Sequence, residues 1–290
     1  MKKKYQLGDV EITRVREIVF PAFDAKFLFP EWNPGVVEGN RRWLQPGCVN
    51  ASGDAVTISI HTWVVRTPRH TILIDTGIGN GRNRRIPLFN QLDTPYLDRL
   101  AEAGVRPEAV DYVFCTHLHS DHVGWNTRRD GERWVPTFPN ARYVFPEDEL
   151  AFSRSDAFQT GYAAGVFEDS IAPIVDAGLV ELIPRCGGRF LDDFTFYPTP
   201  GHTPGHMSIG LASGGEAALF TGDVVHNPVQ IYQPAWNSAF CETPDRALQS
   251  RQWMLEHVSA RRALVLTAHF PDSSAGYVTR TGDGFDWHFA

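Results

Sequence analysis

Three histidines and one aspartate fall within six consecutive positions of the chain, in the stretch Thr-His-Leu-His-Ser-Asp-His at 116–122. The apolar run at 110–115 directly before them predicts a buried strand, so the cluster begins where that strand ends. Side chains alternate in direction along an extended segment, and His117 and His119 therefore project to the same side. Asp121 and His122 follow on the turn. Since burying such groups without a partner is costly, their clustering predicts a metal site rather than ordinary packing.

The types of ligand narrow the choice of metal. Imidazole and carboxylate groups together suit zinc, iron, manganese or cobalt. No cysteine ligand falls within the cluster, which argues against a closed structural zinc site. Ligands from one segment rarely complete a site for two ions, so further ligands are expected at the ends of other strands.

Later segments deliver such ligands, each after a predicted strand. The loop Pro-Gly-His-Thr-Pro-Gly-His at 200–206 presents His202, and its glycines and prolines restrict the shape of the backbone. The run Phe-Thr-Gly-Asp ends on Asp223, and a carboxylate is the natural bridge between two cations. The run Leu-Val-Leu-Thr-Ala-His ends on His269. The sequence therefore predicts a two-ion site assembled from several strand ends.

The ordered set HxHxDH, GHTPGH, TGD and a late AH resembles the metallo-β-lactamase-fold hydrolase superfamily, and the matching positions run from 73 to 269. The resemblance implies an α/β fold, a four-layer αββα sandwich with two sheets inside and helices outside. It implies two divalent metal ions, zinc first, with manganese, iron and cobalt as alternatives. The ligands that it implies are His117, His119 and His202 for one ion, Asp121, His122 and His269 for the other, and Asp223 as the bridge.

The resemblance also implies roles for residues around these ligands. Asp75 matches the aspartate of the family's Leu-Ile-Asp-Thr-Gly segment, which supports the site from outside the ligands; the alternative is an aspartate that caps a turn. His206 matches the second histidine of the GHTPGH loop, which is usually structural. The glycine-rich segment 77–81 lacks the following Lys-Ser/Thr of a phosphate-binding loop, and we interpret it as a plain loop.

Hydrolysis is the chemistry that such a site predicts. Two neighbouring cations lower the pKa of a shared water and polarise a substrate oxygen. Asp121 is expected to accept a proton and to orient the attacking water. His226 is expected to stabilise an oxyanion or to protonate a leaving group, with a purely structural role as the alternative.

The substrate class follows from one departure from the family. Members that open acyl-homoserine lactones usually carry a tyrosine three residues after the bridging aspartate, and here that position is His226. The surrounding pattern resembles instead the branch of methyl-parathion-hydrolase-like and other broad esterases or lactonases. We therefore expect a hydrolase of small esters, with lactones as the first candidates. Organophosphate triesters and aryl esters are the alternatives within that chemistry.

Other functions of the same fold stay open at this point. They are a β-lactamase, an iron-dependent oxidoreductase of the persulfide dioxygenase kind, and a protein that binds metal or a partner without turnover. A β-lactamase would normally be exported, and the start of the chain does not resemble a secretory signal. A protein without turnover would normally have lost ligands, and here the full set is present.

Aromatic residues crowd an N-terminal arm at about 19–50, in which prolines disfavour a regular helix. Such an arm packs on the body, binds a second subunit to give a homodimer, or forms the wall of a pocket. We assign Phe23 and Phe27 of the arm, together with Trp125 beside the histidine cluster, to a substrate pocket.

Composition limits the partners and the location. The 290-residue chain has a formal net charge of −7, which disfavours nucleic acid and anionic membranes as partners. No apolar run is long enough to span a membrane. The four cysteines form no CxxC pair, so we expect a reducing cytoplasm. We expect a single domain over residues 1–290.

Secondary structure is predicted from periodicity and caps. Helices are expected after Thr94-Pro95 and after Thr243-Pro244, because each pair places a capping residue before a proline. Apolar, β-branched runs predict strands at 57–65, 71–75, 110–115, 141–145, 194–197, 207–211, 217–220 and 263–266.

Overall fold

The computed structural model describes residues 4–41, 44, 47–282 and 284–290. Part of the predicted N-terminal arm, residues 42–43 and 45–46, lies outside the described residues. The chain divides into two compact units, which we call the first unit (Met1–Ile18 and Ile60–Gly188) and the second unit (Val19–Ser59 and Arg189–Ala290). The single domain expected over residues 1–290 stays a prediction.

The strands of the described chain, in order, are β1 (Lys4–Leu7), β2 (Val10–Asp24), β3 (Ala55–Arg66), β4 (Thr71–Ile74), β5 (Tyr112–Phe114), β6 (Thr127–Asp130), β7 (Arg133–Pro136), β8 (Arg142–Pro146), β9 (Val180–Ile183), β10 (Gly188–Phe190), β11 (Phe194–Pro198), β12 (Met207–Ser213), β13 (Glu216–Phe220), β14 (Leu264–Leu266), β15 (Ala275–Thr281) and β16 (Gly284–Phe289). Among the described residues, a seven-stranded sheet has the order β1-β2-β3-β4-β5-β8-β9, and a second seven-stranded sheet runs β10 to β16 in sequence order. The hairpin β6-β7 forms a small sheet of its own.

Parallel pairing places the histidine segment at one edge of the first sheet. Strand β5 pairs in parallel with β4 on one side and with β8 on the other. The central residues of these strands, such as Leu73, Val113 and Val144, are completely buried, as expected for strands covered on both faces. Because parallel strands end at the same edge, Asp75 after β4 and His117 after β5 emerge side by side.

The second sheet brings three other strand ends to one edge. Strand β12 is antiparallel to β11 and to β13, so β11 and β13 run in the same direction. Strand β14 is parallel to β13. The carboxyl ends of β11, β13 and β14 therefore share an edge, and His202, Asp223 and His269 follow these strands in the chain.

The helices of the described chain are α1 (Ala25–Leu28), α2 (Pro34–Gly39), α3 (Tyr96–Glu102), α4 (Glu147–Phe152), α5 (Asp156–Thr160), α6 (Ala172–Asp176), α7 (Val229–Tyr232) and α8 (Pro244–Arg261). The two predicted helices are α3 and α8, but the predicted capping bonds are wrong. Helix α3 begins after Pro95, because the hydroxyl of Thr94 bonds to Asn80 and Glu17 instead. Thr243 occupies the N-cap position of α8 without a side-chain bond to the helix.

The predicted strands are all present, with ends that shift by at most two residues. The aromatic arm contains no long helix in its described part: residues up to Asp24 continue β2, and α1 and α2 are short. In the first unit, α3 packs Leu100 into the core with Leu73 and Val113. In the second unit, α8 packs Met254 and Leu255 into its own core. None of the described helices has the length and hydropathy needed to cross a membrane.

Candidate metal centre

The first unit gathers the histidines of the opening stretch into one cluster. The ring centres of His117 and His119 lie 4.7 Å apart, and those of His117 and His122 lie 4.0 Å apart. A turn in which the His122 amide donates to the His119 carbonyl (3.1 Å) folds the segment back on itself. Asp121 is half-buried on this turn, with Oδ1 3.9 Å from His122 Nε2. We refer to these four residues as the first-unit cluster.

Asp75 sets the protonation of two of these rings. Its Oδ2 is 2.8 Å from Nδ1 of His122 and also accepts from the Thr116 hydroxyl at 2.9 Å, while its Oδ1 accepts from the Thr116 amide. Because the Thr116 proton points to Asp75, the 3.1 Å contact between Thr116 Oγ1 and His117 Nδ1 requires the imidazole to donate. Both rings therefore carry their proton on Nδ1, which leaves the lone pair of Nε2 for a metal. The supporting role expected of Asp75 stays a prediction, and these contacts are compatible with it.

Glu149 is a residue that sequence reasoning missed. It lies on α4, is completely buried, and accepts a hydrogen bond from the Leu118 amide at 3.0 Å. Leu118 separates His117 from His119, so this carboxylate holds the backbone of the histidine pair in place. The acidic run 147–149 at the start of α4 was the available signal, but a run of this kind is more often a solvated helix start.

The second unit gathers three imidazoles around one carboxylate. Asp223 Oδ2 lies 3.2 Å from Nε2 of His202 and 3.2 Å from Nε2 of His226, and its Oδ1 lies 2.9 Å from Nε2 of His269. All four side chains are buried, at most 4% exposed. We refer to them as the second-unit cluster. The ligands predicted from this half of the chain therefore lie together, and His226 joins them.

Polar atoms behind the second-unit cluster orient two of its imidazoles. Nδ1 of His269 is 3.2 Å from the carbonyl oxygen of Ser59, which can only accept, so Nδ1 carries a proton and Nε2 faces Asp223. Nδ1 of His202 faces Cys241 Sγ at 3.8 Å. Metal-binding histidines commonly donate their outer nitrogen to such a partner.

His206 is not part of the cluster but positions its carboxylate. The Asp223 amide donates to His206 Nε2 at 2.9 Å, so His206 carries its proton on Nδ1 and donates it to Thr199 Oγ1, also at 2.9 Å. Thr199 in turn is 3.1 Å from Ser208 Oγ, whose own proton goes to the Thr221 carbonyl. Every donor in this chain of bonds is thereby assigned. The structural role predicted for His206 fits this arrangement.

Burial and charge act in opposite directions on the imidazoles beside Asp223. Burial lowers the pKa of His226 to about 4, although Asp223 opposes this shift. Burial would also lower the pKa of His202, but the ion pair with Asp223 outweighs it and raises that pKa to about 10. The His226 ring stacks on His269 with centres 5.4 Å apart, and its amide donates to Gln230 Oε1. Asp223 thus raises the pKa of both imidazoles, and burial lowers it.

The donor set fits a divalent metal. Ligand atoms about 2.0–2.1 Å from a tetrahedral ion lie roughly 3.3 Å apart, and Asp223 lies 3.2 Å from Nε2 of His202 and 2.9 Å from Nε2 of His269, which is close to that value. Nitrogen and oxygen donors of this kind serve zinc, manganese, iron and cobalt alike.

The predicted pocket residues lie in different surroundings. Trp125 is buried, stacks on Tyr96 with ring centres 5.0 Å apart, and donates its indole N–H to Glu17 at 2.7 Å. These contacts account for Trp125 as a core residue of the first unit, and its place in a pocket stays a prediction. In the second unit Phe27 is 42% exposed and lies 6.0 Å from Phe23 between ring centres.

Comparison with known proteins places the chain in a family. A sequence profile described as the metallo-beta-lactamase superfamily matches residues 57–269. The chain is 28% identical over 123 residues to N-acyl homoserine lactonase AiiB of Agrobacterium fabrum, which is 39% of this chain. The aligned segment spans only 41% of that relative's length.

Solved structures agree with this placement. The hydrolase AbOPH of the beta lactamase superfamily superimposes with a TM-score of 0.82 at 26% identity, over 100% of this chain and 97% of the other. AidC, a dizinc quorum-quenching lactonase, superimposes with a TM-score of 0.79 at 22% identity, over the same shares of the two chains. The expected α/β fold of the metallo-β-lactamase type is confirmed.

Proposed function

The chain belongs to the metallo-beta-lactamase superfamily, and from that premise we propose that it is a hydrolase that uses two divalent metal ions to open small esters, lactones first. One observation carries the proposal: polar partners behind His117, His122 and His269 hold a ring proton on Nδ1, the outer nitrogen that metal-binding histidines commonly donate. Burying several imidazoles together with the polar groups that orient them costs free energy, and packing alone gives no reason for such a cluster.

The proposed ligands follow the family order stated above. One ion is assigned to His117, His119 and His202, the other to Asp121, His122 and His269, with Asp223 shared between them. Zinc is the first candidate, with manganese, iron and cobalt as alternatives, because their ligand preferences overlap.

The proposed mechanism uses the chain's own residues around those ions. When bound, the two ions supply a nucleophile at neutral pH and a Lewis acid for the substrate oxygen. Asp121, half-buried on its turn, accepts the proton released by the attacking water. His226 donates an N–H to the oxygen on which charge develops, a role that suits an imidazole held neutral by burial. Asp75 and His206 hold the ligands in the orientation that this requires.

The substrate class rests on the relatives and on the aromatic arm. The curated relatives named above include an N-acyl homoserine lactonase, which supports a lactone. His226, where such enzymes usually carry tyrosine, leaves esters other than homoserine lactones open. The rings of Phe23, Phe27 and Phe240 form an aromatic surface in the second unit, with Phe27 and Phe240 5.8 Å apart. We assign the apolar part of the substrate to Phe23 and Phe27, and keep Trp125 as a further candidate. A homodimer and a cytoplasmic location stay predictions.

The test combines metal content with a panel of substrates. Plasma mass spectrometry on purified protein should find about two zinc, manganese or cobalt ions per chain. The panel contains γ- and δ-lactones, homoserine lactones, p-nitrophenyl esters, paraoxon and nitrocefin. Turnover of lactones confirms the proposal, turnover of paraoxon or p-nitrophenyl esters alone moves it to those alternatives, and turnover of nitrocefin alone makes the protein a β-lactamase. Iron with no hydrolysis favours the oxidoreductase.

A further inference from the structure

A buried carboxylate lies beneath the glycine-rich segment of the first unit. Glu17, on β2, is 1% exposed, and its Oε2 accepts from the Ile78 amide at 2.6 Å. Its Oε1 accepts from the Gly79 amide at 3.1 Å, from the Trp125 indole at 2.7 Å and, more weakly, from the Thr94 hydroxyl at 3.4 Å. The amides that would cradle a phosphate in other glycine-rich loops are therefore occupied by the chain's own carboxylate.

The bonding pattern favours the ionised form of Glu17. Backbone amides and the indole can only donate, and they face both carboxylate oxygens. A neutral carboxylic acid would bring its own O–H among these donors, where the only available acceptor described is the Thr94 hydroxyl at 3.4 Å. Burial raises the pKa of Glu17 above its ordinary value, and the hydrogen bonds from Ile78, Trp125 and Gly79 oppose that shift.

Arginines of the same unit balance the buried charge. Arg82 is 1% exposed, pairs with Asp169 at 2.9 Å, and also donates to the Gly124 carbonyl. Arg84 pairs with Asp169 at 2.7 Å. Asp169 thus pairs with two buried guanidinium groups, and the charge of Glu17 also favours the charged form of Arg82.

Glycine is required on the loop itself because these groups approach so closely. A Cβ at Gly77 would collide with the Glu17 carboxylate, and one at Gly79 would collide with the Arg82 side chain. Gly77 and Gly79 also have φ of +62° and +82°, which other residues rarely adopt. A Cβ at Gly124 would collide with the Ile78 carbonyl.

The loop held by Glu17 is joined to the segment that carries His122. The Thr76 amide donates to the His122 carbonyl at 2.6 Å, the Gly124 amide to the Gly77 carbonyl at 2.7 Å, and the Trp125 amide to the Thr76 carbonyl at 2.9 Å. We call these three bonds the loop joint. Glu17 binds both sides of the joint, the loop through Ile78 and the histidine segment through the Trp125 indole.

We propose that Glu17 is a positioning residue that holds the loop joint closed and thereby fixes His122 for metal binding. The glycine-rich segment serves this internal carboxylate rather than a ligand, and Trp125 is its indole partner. The part of the inference that concerns metal affinity rests on the proposed function. The part that concerns the loop joint does not.

The variants that test this are Glu17→Gln, Trp125→Phe and their combination. Glutamine keeps the shape but places an NH₂ group against amide or indole donors, whichever way it turns. Phenylalanine keeps an aromatic ring on Tyr96, removes the indole donor and leaves a small cavity. Glu11→Gln is the matched control, because Glu11 lies on the same strand with its side chain 30% exposed, paired with Lys4 and Arg66.

The first measurement is hydrogen exchange of the Thr76, Gly124 and Trp125 amides by NMR in the metal-free protein. Exchange should rise at least about tenfold in Glu17→Gln and less in Trp125→Phe, while the control matches the wild type. The double variant should resemble Glu17→Gln, because both changes break the same bond. Unchanged exchange at these amides in Glu17→Gln overturns the inference, whatever the metal content.

The second measurement is zinc affinity by competition with a chromophoric chelator, with the visible spectrum of the cobalt-loaded protein. One of the two zinc ions should bind roughly tenfold more weakly in Glu17→Gln, the lower end of the effect expected for groups behind a ligand. A lower melting temperature with unchanged zinc affinity and cobalt spectrum would show a merely structural role. If the wild-type protein binds no zinc, the proposed function is refuted. The hydrogen-exchange data then still test whether Glu17 holds the loop joint closed.

Discussion

Replacing Asp75 with asparagine should weaken metal binding, because it removes one of the two acceptor oxygens behind the histidines. The carboxylate accepts from the His122 imidazole at 2.8 Å and from the Thr116 hydroxyl at 2.9 Å through one oxygen, and from the Thr116 amide through the other. An NH₂ group turned toward His122 forces Nδ1 to accept and moves the ring proton to Nε2, the nitrogen proposed to bind the metal. An NH₂ group turned the other way faces the Thr116 amide, so two donors oppose each other and the charge that strengthens the bond to His122 is lost.

The size of this effect follows from the bonds that are lost. A hydrogen bond to a charged group contributes about 1.5–3 kcal/mol, and about 1.4 kcal/mol corresponds to a tenfold change in a dissociation constant. Losing the bond that selects the tautomer of His122 should therefore weaken zinc binding by roughly 10- to 100-fold, the range known for groups behind a ligand. Thr116→Val leaves the bond between Asp75 and His122 in place. It removes the acceptor of His117 and one donor to Asp75, both through a neutral hydroxyl, so its effect should be smaller.

The assay is zinc competition with a chromophoric chelator at pH 7, on protein shown to be folded by circular dichroism. Asp130→Asn, on the exposed end of β6, is the matched control and should bind zinc as the wild type does. If Asp75→Asn binds both zinc ions with wild-type affinity, the assignment of ring protons from the hydrogen bonds is refuted.

Three further outcomes are expected. Asp223→Ala should lose both metal and activity, whereas His226→Ala should keep its metal and have a lower turnover. Metal content and steady-state rates test both expectations. Full activity in Asp223→Ala would exclude the bridging role of Asp223. Gly124→Ala should lower the free energy of unfolding by about 3 kcal/mol or more, because its Cβ would overlap the Ile78 carbonyl, while Gly39→Ala, with open space around it, should change little in urea titrations. Thr199→Val should lower the free energy of unfolding by about 1–2 kcal/mol and weaken zinc binding, because His206 loses the acceptor that selects its tautomer. A zinc affinity equal to that of the wild type would show that the hydrogen bonds behind Asp223 are not needed for metal binding.

Local sequence patterns predict the buried apolar strands, but they do not predict the polar strands that pair at their edges. Strands such as β4 and β5 are continuous apolar runs, and such runs are visible in a single window. The hairpin β6-β7 and the edge strand β9 are polar or mixed, and they form because of their neighbours in space. The failed caps have a similar cause, since the Thr94 hydroxyl bonds to Asn80 and Glu17 rather than to its own helix.

The sequence by itself determined which residues can hold the metals and in what order they come. Histidine and aspartate are metal ligands by their chemistry, and each proposed ligand follows a predicted strand. HxHxDH, His202, Asp223 and His269 could therefore be identified without coordinates. The family and the α/β fold follow from the same set.

Only the tertiary structure decided which groups orient those residues. Asp75 and His122 are 47 positions apart, and Glu17 and Trp125 are 108 positions apart. A hydrogen bond depends on a few tenths of an ångström between atoms that the chain brings together from distant segments, and no local pattern encodes that distance. For this reason the sequence does not predict Glu17, and the glycine-rich segment, which the sequence alone indicates to be a plain loop, is held by a carboxylate from a distant strand.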